Sequence, residues 1–81
     1  MDMFLDLQNF VVEELLNGTS VESNDNLLED GMVDSIGLVR LIAYIEETYQ
    51  LIIPPEDFTI ENFQTIAALT NYLNNLGNSH L

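Results

Sequence analysis

Cysteine is absent from this 81-residue sequence, and basic side chains are nearly absent too. Without cysteine the chain forms neither disulfides nor thiolate metal sites, so any thiol chemistry must be supplied by another molecule. The single basic residue, Arg40, stands against 14 acidic residues, and the formal net charge is −13. This charge predicts repulsion from nucleic acid and anionic membranes and attraction to basic protein surfaces. We therefore expect protein partners, with no nucleic acid and no membrane among them.

Long apolar runs are missing as well. No stretch approaches the roughly 18 residues of a membrane span, and the segment that begins at Met1 lacks the positive flank of a signal peptide. We therefore expect a cytoplasmic protein. The hydrophobic share of 47% is nevertheless ample for one small core. The prediction is a single domain over residues 1–81, present as a monomer.

The spacing of the apolar residues predicts an all-α fold. In the first helix, the residues expected on the apolar face are Phe4, Leu7, Val11 and Leu15, and those expected on the polar face are Asp2, Asp6, Asn9 and Glu13. Three principal helices and one short helix are expected, over residues 2–17, 35–49, 64–76 and 60–63 respectively. Residues 77–81 are expected to form a frayed tail. The predicted architecture is a four-helix bundle with a long loop between the first and second helices.

The long loop, residues 18–34, is rich in glycine, serine, asparagine and aspartate. Its apolar residues are expected to pin it to the core, and they are Leu27, Leu28, Met32 and Val33. The cluster NDN at residues 24–26 suggests a calcium loop, but the regular acidic spacing and the closing glutamate of such loops are missing. No metal site is therefore predicted. Further along, the apolar residues of the connector before the last helix are mostly expected in the core, and they are Ile53, Phe58, Ile60 and Phe63.

The loop delivers an aspartate and a serine to the start of the second helix. Either Asp34 or Ser35 can cap the free N–H groups there, and capping alone would explain both residues. The core face of this helix is expected to contain Leu38, Leu41, Ile42, Ile45 and Tyr49, and the opposite face Ile36, Arg40, Ala43 and Glu47. An outward isoleucine beside a presented hydroxyl favours a docking surface over an ordinary solvated face.

Self-contained catalysis by this serine is not expected. A nucleophilic serine needs a base within hydrogen-bond reach and donors for an oxyanion. The single histidine, His80, belongs to the tail, and Arg40 cannot be assumed neutral. The Glu46-Glu47 pair lies on an exposed helix without a cavity to raise the pKa of either carboxyl. We therefore interpret Ser35 as a substrate that another protein modifies, in a chain that is not itself an enzyme.

Four stretches give the sequence a recognisable resemblance. They are LEDGMVDSI at residues 28–36, the amphipathic helix over 38–49, the Ile53-Pro54 break and FQTIA at 63–67. Together they resemble the acyl carrier protein superfamily, which includes the aminoacyl and peptidyl carrier (thiolation) proteins. The resemblance extends from the first helix to Leu76.

This resemblance implies a prosthetic group and a set of partners. Ser35 would accept 4′-phosphopantetheine from coenzyme A through a phosphopantetheinyl transferase, and the thiol of the arm would hold acyl or aminoacyl groups as thioesters. Asp34 would help to position the Mg²⁺ of the transferase, so this metal ion would be bound in the complex with the transferase and not by this domain alone. The transferase, an adenylating ligase that loads the cargo and downstream acyl-modifying or transferring enzymes would meet a face composed of Ile36, Arg40, Ala43 and Glu47.

The subclass implied by the resemblance is an aminoacyl or peptidyl carrier of nonribosomal peptide-type or other specialised biosynthesis. Arg40 stands where fatty-acid carriers usually have an acidic residue, and Ala43 where they often have a larger apolar one. Gly37 and the long connector over residues 54–63 look more like stand-alone aminoacyl carriers. A D-alanyl, fatty acyl or polyketide carrier is the alternative. An acidic protein-interaction module without a prosthetic group is an alternative of a different class, favoured by the net charge alone.

Overall fold

The computed structural model describes residues 2–29 and 32–78. Its helices are α1 (Met3–Phe10), α2 (Ser35–Tyr49), α3 (Ile60–Phe63) and α4 (Ile66–Asn78). The expected all-α, four-helix architecture with a short third helix and a long first loop is confirmed. Predictions made for Asp30, Gly31, His80 and the end of the tail lie outside the described residues. Within the described ranges, no helix is both long and apolar enough to cross a membrane.

The first helix departs from the α-helix expected over residues 2–17. Asp2 caps it by accepting a hydrogen bond of 3.0 Å from the Phe4 N–H, but the α-helical part ends at Phe10 and continues as a π-helical segment over Val11–Leu15. The Leu16 N–H accordingly reaches back five residues, to the Val11 carbonyl at 3.0 Å. Val11, at the start of this segment, is fully buried, and Leu15, at its end, packs partly buried against the core.

The second helix has the expected core face. Leu41, Ile42 and Ile45 are buried, and Leu38 and Tyr49 pack partly buried beside them. The helix ends where Gln50 adopts a left-handed conformation, with φ of 57°. The Glu46 carboxylate then accepts a hydrogen bond of 2.9 Å from the Ile53 N–H, which fixes the direction of the chain as it leaves the helix.

The connector to α3 buries fewer apolar residues than expected. Ile53 and Phe63 are in the core, but Phe58 and Ile60 are 46% and 67% exposed, so the expectation that most of these four residues are buried was wrong. A 3₁₀ turn over Pro55–Asp57 and an extended Thr59 (φ −115°, ψ 156°) precede α3. Because α3 has only four residues, it turns one of them, Phe63, fully inward and leaves its first residue in solvent.

The last helix spans residues 66–78 and not the expected 64–76. The Gln64 N–H still bonds to the Ile60 carbonyl at 2.8 Å, which makes Gln64 the end of α3. Thr65 then accepts a hydrogen bond of 3.0 Å from the Ala68 N–H on its hydroxyl, as an N-cap does. At the other end, α4 includes Gly77 and Asn78, and the frayed tail expected over 77–81 stays a prediction.

The long loop is ordered by backbone contacts with the junction of α3 and α4. The Leu27 N–H donates to the Gln64 carbonyl at 2.6 Å, and the Val33 N–H donates to the Leu27 carbonyl at 2.7 Å. Leu27 and Val33 are buried as expected, but Met32 is 42% exposed and does not pin the loop. The buried residues of α1, the loop and the later helices form one core, composed of Leu7, Val11, Val21, Leu27, Val33, Leu41, Ile42, Ile45, Ile53, Phe63, Ile66, Leu69 and Leu73.

Candidate functional site

Ser35 is the first residue of α2, and it is exposed. Asp34 precedes it with an extended backbone, and the Asp34 Oδ1 atom accepts a hydrogen bond of 2.8 Å from the Gly37 N–H. Of the two residues that could cap this helix, Asp34 therefore fills the role. The Ser35 side chain is not needed for the cap, and its hydroxyl is presented to solvent at the helix N-terminus.

The position of this serine depends on three parts of the chain. Val33, just before the cap, is tied through Leu27 to Gln64 at the junction of α3 and α4. The Leu38 N–H bonds to the Asp34 carbonyl at 2.9 Å, which continues the cap into the helix. The loop, α2 and the α3–α4 junction thus fix the backbone on both sides of Ser35.

The outward face of α2 contains all four residues expected there. Ile36 is 72% exposed, and Arg40, Ala43 and Glu47 are exposed as well. Val39 is 65% exposed and was missed in the sequence analysis. It lies three residues after Ile36 and four before Ala43, so the same helical spacing that defines the core face could have identified it. These three residues form an apolar stripe beside Ser35.

Arg40 has a contact that its position in the sequence did not indicate. One guanidinium nitrogen donates to the backbone carbonyl of Glu14 at 3.3 Å, and the other lies 3.8 Å from the Glu14 carboxylate. The carbonyls at the end of a helix have no partner within it, so Arg40 satisfies one of them from the neighbouring helix. Both side chains are about half exposed, and such surface pairs contribute about 0–1 kcal/mol.

The described residues offer a place for a phosphate ester but no enclosed site. Residues 2–29 and 32–78 contain no pocket and no group of three or more histidine, aspartate or glutamate side chains suited to a metal ion. The start of α2, by contrast, has first-turn N–H groups and the positive end of the helix dipole, both of which favour a phosphate oxygen. A phosphodiester on Ser35 fits this exposed position.

Comparisons with known proteins decide the family. The family described as "Phosphopantetheine attachment site" matches residues 6–73. The acyl carrier protein of Campylobacter curvus is 33% identical over 78 residues, which cover 95% of this chain and 99% of that protein. The chain belongs to the acyl carrier protein superfamily. This carrier protein therefore has a phosphopantetheine attachment domain, which implies a 4′-phosphopantetheine prosthetic group, and its relatives are carriers without catalytic activity of their own.

Other similar proteins represent further branches of the superfamily. The carrier protein is 32% identical over 63 residues to the acyl carrier protein AsbD of Bacillus anthracis, with 78% and 69% of the two chains covered. It is 28% identical over 65 residues to the D-alanyl carrier protein of Lactobacillus delbrueckii, with 75% and 81% covered. A chain in a solved structure described as "Crystal structure of FAD-dependent dehydrogenase" is 34% identical, with a TM-score of 0.77, and 84% of the carrier protein and 99% of that chain are covered.

Proposed function

We propose that Ser35 bears the 4′-phosphopantetheine arm and that the protein holds acyl or aminoacyl groups on this arm as thioesters. The observation that supports this most directly is the exposed Ser35 hydroxyl at the start of α2. Asp34 caps this helix, so the cap does not require the Ser35 hydroxyl. The sequence has no cysteine, so the thiol that forms the thioester comes with the arm. The carrier is then a substrate of its partner enzymes and performs no chemistry alone.

The attachment reaction requires groups that this chain does not supply. The Ser35 oxygen forms a bond to the phosphorus on the pantetheine side of coenzyme A, the diphosphate linkage breaks, and the nucleotide half leaves. The serine proton passes to a base of the transferase. Asp34 Oδ1 accepts the Gly37 N–H, so we assign the second carboxylate oxygen, Oδ2, to the Mg²⁺ of the transferase.

Partner recognition is assigned to the outward face of α2. Ile36 and Ala43, together with Val39, supply apolar contact, and Arg40 and Glu47 supply one charge of each sign. The proposed partners are a phosphopantetheinyl transferase, an adenylating ligase that loads the cargo, and downstream acyl-modifying enzymes. In a chain with a net charge of −13, electrostatic matching is expected to govern association rate and partner choice more than affinity.

The proposed subclass is an aminoacyl or peptidyl carrier of specialised, nonribosomal peptide-type biosynthesis in the cytoplasm. Arg40 and Ala43 on the outward face and Gly37 beneath it support this subclass over a fatty-acid carrier. A D-alanyl carrier is the second candidate, supported by the similarity to the Lactobacillus protein. The similar chain in the dehydrogenase structure supports an FAD-dependent oxidation of the carried group as one downstream step.

Intact mass tests the attachment site. The protein is incubated with coenzyme A, Mg²⁺ and a promiscuous phosphopantetheinyl transferase, and a gain of one phosphopantetheine is expected. Ser35→Ala should abolish the gain. Ser20→Ala, which removes another exposed serine from the long loop, is the matched control and should leave the gain unchanged. No gain in the unaltered protein would favour the acidic interaction module.

Two further measurements refine the proposal. Asp34→Asn keeps a good helix cap but removes the carboxylate charge, so transfer to Ser35 should slow by about 10–100-fold while thermal stability changes little. Equal transfer rates would remove Asp34 from the metal contact. For the subclass, the arm-bearing protein is offered a panel of amino acids and fatty acids together with its proposed partner, an adenylating ligase. Exclusive loading of D-alanine or of fatty acids would replace the proposed subclass by that alternative.

A further inference from the structure

Gly37 is a buried glycine in the first turn of α2, two residues after Ser35. Glycine inside a helix is less favourable than alanine, so a local reason for its presence is expected. Backbone conformation is not the reason, because Gly37 is helical and has no positive φ. The reason must lie in what surrounds the position.

Space around Gly37 is restricted on the side of the loop. A β-carbon added there would lie 3.2 Å from Val33 Cγ1 and 3.3 Å from Asp34 Oδ1, with Leu15 Cδ2 of the first helix at 3.8 Å. The first two distances are shorter than ordinary van der Waals contacts, so each of these two neighbours would have to move by a few tenths of an ångström. The glycine thus allows the loop and the cap to close directly onto the helix.

The two crowded neighbours differ in how firmly they are held. Val33 is buried, and its N–H bonds to the Leu27 carbonyl at 2.7 Å, while the Leu27 N–H bonds to the Gln64 carbonyl at 2.6 Å. Asp34 is exposed, and its carboxylate is held by the Gly37 N–H itself. A methyl group at position 37 would therefore displace the Asp34 carboxylate more readily than Val33.

We propose that Gly37 is a positioning residue for the attachment of phosphopantetheine to Ser35. By having no side chain, it lets Asp34 cap the helix at 2.8 Å, and the same backbone turn carries Ser35 at the start of α2. Gly37 itself touches neither coenzyme A nor the transferase. This inference rests on the proposed function, because it requires Ser35 to be the acceptor.

Gly37→Ala tests the inference through the rate of transfer to each folded molecule. Intact mass gives the time course, and circular dichroism gives the folded fraction at the same temperature. Small displacements of reacting groups reduce rates strongly, so kcat should fall on the order of tenfold. The KM for the carrier should change little, because the outward face of α2 is untouched. A purely structural role would alter the melting temperature and leave the rate per folded molecule as in the unaltered protein.

Gly18→Ala is the matched control. Gly18 has φ of 88° and open space around a would-be β-carbon, so alanine there strains the backbone without touching the site. Its melting temperature should fall by several degrees, about 4–8 °C, with kcat unchanged. Equal kcat for Gly37→Ala and the unaltered protein overturns the inference. Failure of the unaltered protein to accept the arm overturns the proposed function instead.

A second pair of variants covers the case in which Gly37→Ala does not fold. Val33→Ala removes the atom that would lie 3.2 Å from the new methyl group, while Asp34 Oδ1 at 3.3 Å remains. The double variant Val33→Ala/Gly37→Ala is then compared with Val33→Ala. Slower transfer to the double variant supports the inference, and equal transfer overturns it.

Discussion

The two sides of α2 differ in where their side chains find partners. On the inner side, the hydroxyl groups of Tyr44 and Tyr49 both donate to the carboxylate of Asp6 in α1, the first at 2.6 Å. The Phe10 ring stacks on Tyr44 with a centroid distance of 4.2 Å. On the outer side, Ile36 is left in solvent, and in the proposed function a partner enzyme covers it.

In the proposed function, this difference separates residues that stabilise the fold from residues that select partners. The polar atoms of the inner side are satisfied within the chain, so a change there should alter stability. In the proposed function, partner enzymes bind the outer side, so a change there should alter the rates of their reactions. Arg40 belongs to both groups, because it is exposed on the outer face and also bonds to Glu14 of the first helix.

The largest effect on stability is expected for Asp6→Ala. Two tyrosine hydroxyls would lose their charged acceptor, and a hydrogen bond to a charged group contributes about 1.5–3 kcal/mol when buried. The site is only part-buried, so we expect a total loss of about 1–3 kcal/mol. The melting temperature should fall by at least about 4 °C, as measured by circular dichroism.

Glu13→Ala is the control for Asp6→Ala. It removes the same charge from the exposed side of the first helix, and its melting temperature should be close to that of the unaltered protein. Both variants should accept the phosphopantetheine arm at the normal rate per folded molecule. Equal melting temperatures for the two variants would mean that the contact between Asp6 and the tyrosines does not stabilise the fold.

The contact of Asp6 with the two tyrosines is one that the sequence could not predict. Helical spacing places Asp6 with Asp2, Asn9 and Glu13 on the polar face of the first helix, and its contact with Tyr44 and Tyr49 depends on how α1 and α2 pack. The core face of α2 was predictable, because its spacing is regular over the whole helix. The π-helical segment was not, since Val11 and Leu15 keep the four-residue spacing that an α-helix would also have.

The residue types of the candidate site were visible in the sequence, but the contacts that hold these residues in place were not. The Asp-Ser pair at a helix start, followed by an outward isoleucine, was visible in the order of the residues. The crowding around Gly37 was not visible, because it depends on Val33 and on the loop contacts that hold it. Most of the apolar residues in the connector were expected in the core, but Phe58 lies at the end of the 3₁₀ turn and Ile60 at the start of α3, and both are exposed.

The next largest effect is expected at alkaline pH, where the tyrosine contacts on the inner side of α2 should stabilise the fold less. The pKa of Tyr44 is raised mainly by its hydrogen bond to Asp6, and the pKa of Tyr49 is raised mainly by burial. In α4, burial is also the main cause of the raised pKa of Tyr72, whose hydroxyl donates to Asp57. The fold favours the neutral phenols, so their contribution is complete below the ordinary pKa of 10.0 and is lost as the pH rises through the higher pKa values of the folded state.

Melting temperatures from neutral pH to above pH 10 would measure this loss. The sequence contains neither cysteine nor lysine, whose side chains ordinarily titrate in this range. The tyrosines are therefore the side chains that titrate in this range. Tyr49→Phe should be less stable at neutral pH and should lose less stability in alkali. If the melting temperatures of Tyr49→Phe and of the unaltered protein fall in parallel as the pH rises, Tyr49 does not contribute to the effect.

The smallest expected effect concerns Arg40, where the two sides of the comparison meet. Arg40→Glu places a second carboxylate near Glu14 and removes the contact with its carbonyl, but the original pair is half exposed and contributes about 0–1 kcal/mol. The fold should therefore remain intact.

If Arg40 selects partners, the loading rate by the cognate adenylating ligase should change a few-fold at low salt, and less as salt screens the charges. Glu14→Gln, which weakens the ion pair but keeps Arg40, should load at the normal rate. An unaltered rate for Arg40→Glu across the salt range would assign Arg40 to the cap of the first helix alone.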